Sequence, residues 1–181
     1  MSVIEATNAA QGLYWRLKQA VASYLTQLNM TGGPVPPPNG SGSIGGIVGG
    51  SQGPNVYVQM LPDGSNVRVP CALVTTFMRS EKDAGGTSLT REWWQPVGIA
   101  IYDKGEGLRR TDNEPYYSWW REQIVDFFHD FSGPPGFVPN VPECRGFRVN
   151  PEAIFDAPSN NFVQVVSTLM VEAYVTRVWN P

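Results

Sequence analysis

Histidine is almost missing from this sequence: His129 is its single imidazole. Metal centres built on several histidines are thereby excluded, and general-base chemistry is limited to one ring or to carboxylates. Cysteine is scarce too. Cys71 and Cys144 are far apart and neither has a CxxC partner, so they read as two reduced, buried thiols. No excess of positive charge exists. Lys plus Arg number 13 against 16 Asp plus Glu, a formal net charge of -3, which gives no broad footprint for nucleic acid. Every apolar run is broken by Gly, Pro or a charge before the roughly 18 residues that a membrane span needs. The N-terminal MSVIEATNAAQ lacks the basic-then-apolar pattern of a leader. These absences lead us to expect a soluble, unsecreted protein with no membrane partner. Neither a GxSxG elbow nor a GxxxxGKS/T loop is present, so acyl transfer and phosphate cradling have no motif to rest on.

What the chain does have is sheet. Phe162 to Trp179, FVQVVSTLMVEAYVTRVW, is free of Gly and Pro and rich in β-branched and aromatic residues, so it reads as a long strand. One face, Val163, Val165, Ser167, Leu169, Val171, Ala173 and Val175, is nearly all apolar. The other, Phe162, Gln164, Val166, Thr168, Met170, Glu172, Tyr174 and Thr176, is mixed, as for a sheet packed on one side and partly wet on the other. At about 3.3 Å per residue a straight strand of this length reaches roughly 60 Å. It must therefore bend, bulge or project past its domain, and a projecting strand invites pairing with another copy.

With 181 residues, 41% of them hydrophobic, one core is the expectation. Ser2-Val3-Ile4-Glu5 fits a capping box, and Ala6, Ala9, Ala10, Leu13, Leu17, Ala20, Val21, Tyr24 and Leu28 then make a helical apolar stripe, with Arg16 and Lys18 falling largely off it. Thr31 to Pro54 is a Gly/Pro-rich loop insert in which only Ile44, Ile47 and Val48 are sizeable anchors for a partner. Asn55 to Leu61 and Val67 to Leu73 alternate on either side of Pro62-Asp63-Gly64-Ser65, which predicts a hairpin whose returning strand, carrying Pro70, lies at an edge or is bulged. Arg79 to Arg91 reads as a polar loop centred on Gly85-Gly86. Glu92 to Tyr102 reads as a third strand, with small residues on its Trp94, Pro96, Gly98, Ala100 face leaving room for a helix. Asp103 to Asn113 is a charged connection. A second helix opens at Glu114-Pro115, carries the stripe Tyr116, Trp119, Trp120, Ile124, Phe127, Phe128 and Phe131, and stops at Gly133-Pro134-Pro135. Short strand pieces follow at 147–149 and 153–155. The expected fold is α+β: a single domain, 1–181, with a mostly antiparallel sheet, two helices on one face and a long C-terminal strand.

Chemistry is sparse along this chain. Glu122, Asp126, His129 and Asp130 fall at three- and four-residue steps and could converge on a cation, but the same spacing describes an ordinary solvated helix face. Arg109-Arg110, with Lys104 before them, form a small basic knot for an acidic rim or a passing nucleic acid. Adjacent Trp93 and Trp94 must face opposite sides of a strand, so one can anchor an interface while the other fills the core. Tyr174, Arg177 and Trp179, near the end of the long strand, complete the candidate contact residues. No catalytic, metal or cofactor-binding set is assigned, and a non-enzymatic protein is expected.

The order of elements resembles the tail terminator proteins of tailed bacteriophages. The likeness is carried by the N-terminal amphipathic helix, the Val67-Arg68-Val69-Pro70 return, the strand ending Val97-Gly98-Ile99-Ala100-Ile101-Tyr102, the aromatic helix, and the strand ending Val171-Glu172-Ala173-Tyr174-Val175. It spans most of the chain apart from the Thr31 to Pro54 insert. The resemblance implies a virion protein assembled in the host cytoplasm, a hexameric ring that caps the tail tube, stops its growth and joins the neck. DNA would pass through such a ring without sequence-specific binding. A head-tail connector or head-completion ring is the near alternative. A metal-assisted hydrolase using Asp126, His129 and Asp130 is the distant one.

Overall fold

The structure, a computed structural model, describes residues 12–27, 56–58, 71–75, 82–103, 114–129, 138, 141–150 and 164–178. Its elements in chain order are α1 (Leu13–Gln27), β1 (Val56–Val58), β2 (Cys71–Thr75), β3 (Lys82–Thr87), β4 (Thr90–Asp103), α2 (Glu114–His129), β5 (Cys144–Asn150) and β6 (Gln164–Val178). The fold is α+β, with one six-stranded, mostly antiparallel sheet. The main path runs β1-β2-β4-β6-β5, and β3 pairs with β4 off that path.

β6 closely matches the long strand read from the sequence, and β4 follows it antiparallel from Thr90↔Val178 to Asp103↔Gln164, with one register shift between Ile101 and Tyr102. The length problem posed by β6 is therefore met mainly by an equally long neighbour. On its other side β4 pairs with β2 over Gly98–Tyr102 and with β3 over Thr90–Trp94, so two short strands share one long edge.

One face of this sheet carries the core. Trp93, Val97, Ile99 and Ile101 of β4 line up with Leu169, Val171, Ala173 and Val175 of β6, Ala72 and Val74 of β2, and Phe147 and Val149 of β5. The apolar face read along β6 is thus the packed one. Leu17, Val21 and Leu25 of α1 and Ile124 and Phe128 of α2 close over it. α1 lies against β1, β2 and β4, and α2 against β5 and β6. The helices meet each other through rings: Tyr24 stands 6.3 Å from Phe127 and 6.2 Å edge-on to Phe147, and Phe128 is 5.7 Å edge-on to Phe147. Both helices lie on the face with the bulky residues. The small-residue face of β4, expected to receive a helix, instead carries a minor cluster of Cys71, Leu73 and Ala100. β-branched and aromatic groups offer a helix more apolar area to bury than Gly and Ala do, which decides the side.

Three expectations change. β1 and β2 are parallel, Val56↔Ala72 to Val58↔Val74, and so form no hairpin. The connection at 59–70 is about the dozen residues that a parallel crossover requires. β2 is consequently internal, between β1 and β4, and begins at Cys71; Pro70 lies outside the described residues. The polar segment Arg79 to Arg91 holds a hairpin. Its turn is Ser88-Leu89, closed by Thr87 and Thr90: the Thr87 amide donates to Thr90 Oγ1 at 3.0 Å and the two hydroxyls lie 2.9 Å apart. Gly85 and Gly86 sit within β3 at φ 134° and 138°. A Cβ on Gly86 would stand 2.2 Å from the Thr90 carbonyl oxygen, so only glycine lets the two strands approach there. Finally, Lys18 is buried at 6% exposure, its ammonium 4.9 Å from the Trp15 ring and 5.2 Å from the Tyr14 ring, with burial lowering its pKa.

The capping box at Ser2, the Pro62-Asp63-Gly64-Ser65 turn, the strand piece at 153–155 and the insert 31–54 lie outside the described residues. Cys71 and Cys144 are buried and free, and burial pushes the Cys144 thiol up to about 11.

Phe128 is fully buried between Phe127 and Phe147. Phe128→Ala should lower stability by about 3–5 kcal/mol, read as a shift in the urea unfolding midpoint; an unchanged midpoint would contradict this account of the core.

Candidate assembly surface

At the end of the sheet away from β2, three strands continue together. β3, the Thr90–Glu92 start of β4 and the Thr176–Val178 end of β6 form an arm, β3 exposed at all six positions and the core residues Trp93 and Val175 lying at its root. Two large apolar side chains stand out in water on this arm: Leu89, in the turn, at 56% exposure, and Val178, opposite Thr90, at 60%. A lone hairpin is marginal in water, so the third strand and the contacts at the base of the arm matter.

Those contacts lie on the face away from the helices. Glu172 of β6 is only 3% exposed. Its Oε2 accepts from Arg148 Nε at 2.6 Å, and its Oε1 lies 3.2 Å from Lys82 Nζ. One carboxylate therefore joins β3 and β5, which β4 and β6 separate. Arg148 also lies over Trp94, 3.8 Å from the ring centroid, and Trp94 rests on Tyr174 at 4.9 Å. Tyr174 donates its hydroxyl to Glu92 Oε2 at 2.6 Å, and that bond raises the phenol pKa. Alternation explains the grouping: Trp94, Glu92, Glu172 and Tyr174 all occupy even positions on β4 and β6, hence one face. Burial pushes the Glu172 carboxyl up, but the hydrogen bonds from Arg148 and Lys82 outweigh it and hold the group below its ordinary 4.5.

A second ion pair supports the other side. Arg16 of α1 holds Glu143 bidentately, Nη1 to Oε2 at 3.1 Å and Nη2 to Oε1 at 2.8 Å. The Glu143 carbonyl accepts from the Thr176 amide at 2.9 Å, so α1, the turn before β5 and the base of the arm are tied at one residue. Burial works against the charged Glu143, and Arg16 overcomes it to lower its pKa.

The sequence-derived contact residues divide. Trp93 is a core residue on the helix-covered face, so of the tryptophan pair only Trp94 is available to the surface cluster. Trp94 and Tyr174 are brought together, half-buried. Arg177 is exposed on the arm, opposite Arg91. Ile44, Ile47, Val48, Arg109, Arg110 and Trp179 lie outside the described residues. Glu122, Asp126 and His129 are exposed on α2, as on a solvated face, and Asp130 is outside the described residues. Sequence reasoning missed Leu89, Val178, Lys82 and Arg148. The signal for the first was Thr87-Ser88-Leu89-Thr90, a two-residue turn between β-branched residues, which the Gly85-Gly86 pair obscured.

The chain matches no protein-family model. No curated protein matches it either. Among the described residues no group of three His, Cys, Asp or Glu could hold a metal ion, and no helix is long and apolar enough to cross a membrane. What the arrangement offers physically is contact area: a braced arm with apolar tips and, among the described residues, sheet edges with no strand beside them.

Glu172→Gln keeps the shape of the side chain and removes its charge; it should cost about 1–3 kcal/mol at neutral pH. Because the folded pKa of Glu172 is lowered, its contribution is complete above pH 4.5 and fades as pH falls through the folded value. Thermal unfolding of both proteins should show a gap that narrows below pH 4.5, and a gap constant down to strongly acid pH would refute the role of the charge.

Proposed function

We propose that this protein is a structural assembly protein, a tail terminator whose copies form a hexameric ring that caps a phage tail tube and joins it to the neck. The observation that carries the assembly reading is the arm: three strands that run beyond the helix-covered core and present Leu89 and Val178 to water. Leu89 precedes Thr90, whose ladder partner is Val178, so the two exposed apolar groups sit at one tip and together support a contact there. The specific place in a tail comes from the order of elements set out above, to which the long paired β4 and β6 and the two helices on one face add support. In this reading the work of the protein is mechanical. It shapes a ring and offers one side to the tube and the other to the neck, without bond chemistry.

Light scattering coupled to size-exclusion chromatography, run alone and with tube protein added, tests it. Ring-sized particles support the proposal, and a monomer that also fails to form rings on tube protein defeats it. A ring that binds neck components and ignores tube protein would assign the connector role instead. Leu89→Asp and Val178→Asp should leave folding stability within about 0.5 kcal/mol, as exposed positions do, while reducing ring formation at least tenfold in the concentration required. Unchanged assembly in both variants would remove the arm from the contact.

A further inference from the structure

Resting on the ring reading, the next question is which surfaces meet. Identical subunits in a ring touch head to tail, so each copy must offer two different and complementary surfaces. The sheet has such a pair. Among the described residues no strand lies on the outer edge of β3 or of β5, and these edges are at opposite margins of the run β3-β4-β6-β5. Each neighbour in that run is antiparallel to the next, so β3 and β5 point in opposite directions. A second copy rotated about a ring axis, without being turned over, therefore brings its β3 to the first copy's β5 in the antiparallel sense, and the alternation continues across the contact. The strands are also alike in length, six and seven residues.

The side chains agree with this. Lys82 turns its ammonium across β4 to Glu172 at 3.2 Å, away from the outer edge of β3. Gly85 has no Cβ, and one placed there would meet nothing within 4 Å, which leaves room for an incoming backbone. Asp83 is 80% exposed on β3, where its contact with Arg91 is a loose 3.3 Å; β5 carries Arg145 and Arg148. When the two strands overlap antiparallel, Asp83 at the start of β3 falls opposite the Arg148 end of β5, and Arg148 keeps 45% of its side chain exposed beside Glu172, so an acid meets a base across the contact. We infer that β3 of one copy adds as a strand to the outer edge of β5 of the next copy, making the ring contact a continuous antiparallel sheet.

The test is cysteine cross-linking in the full-length chain. Asp83→Cys and Asn150→Cys, which antiparallel overlap of β3 with β5 brings together, are coexpressed as differently tagged proteins and treated with a short bis-maleimide; Ala84→Cys serves as a second reporter on β3. Cys71 and Cys144 are buried, so the introduced thiols react first. The expected product is a covalent dimer containing one of each variant, enriched at least fivefold over dimers of a single variant. Ring-sized particles with no mixed product, or with dimers of one variant only, would overturn this contact while leaving the ring reading in place. Particles that stay monomeric by light scattering with tube protein present would overturn both.

Discussion

The antiparallel pairing of β4 with β6 is the constraint on which the rest of the molecule depends. It joins residues from Thr90 to Asp103 with residues from Gln164 to Val178; β2, β3 and β5 attach directly to one of these two, and β1 attaches through β2. Because the two strands share one alternation, they sort their side chains together: odd positions of both from Trp93 to Val97 and from Ala173 to Val175 lie on or near the helix side, while Trp94, Glu172 and Tyr174 fall opposite. A one-residue slip would exchange the two sets and place Glu172 under the helices. The charge on that residue thus helps fix register as well as linking strands.

Two arginine–carboxylate contacts follow a common logic. Glu143 and Glu172 are each drawn below the ordinary carboxylate range against the effect of burial, the one by Arg16 and the other chiefly by Arg148. Each brings sequence-distant elements together, α1 with the turn before β5 in one case and β3 with β5 in the other. Lys82 and Arg148 keep about half of their side chains in water, which makes the Glu172 contacts modest in energy. Their geometric effect is larger, since both act near the root of the arm, where Thr176 is bonded to the Glu143 carbonyl and Lys82 reaches Glu172.

Much of this architecture was legible from residue pattern. Period-two alternation marked β4 and β6 and identified the core face of β6. Helical spacing placed Leu17, Val21, Ile124 and Phe128 inward. What pattern could not give was partner choice. The β1 and β2 segments alternate identically whether they pair parallel or antiparallel, so alternation does not choose between them. The β3 hairpin was hidden because Gly85-Gly86 carries turn composition within a strand, where the close approach to Thr90 requires glycine. The surface cluster was half visible: Trp94 and Tyr174 stood out as aromatic, but Arg148 and Lys82 join them only through register across four strands.

The order of these strands along the chain also bears on biogenesis. β3 and β4 leave the ribosome well before β6, so the central strand waits for a partner separated from it by all of α2 and β5. Pairing over such sequence distance is slow, and in the interval β4 exposes a long apolar edge prone to aggregation. Conversely, β6 supplies one side of the arm, so a chain cannot display a complete arm until its own core strand has arrived.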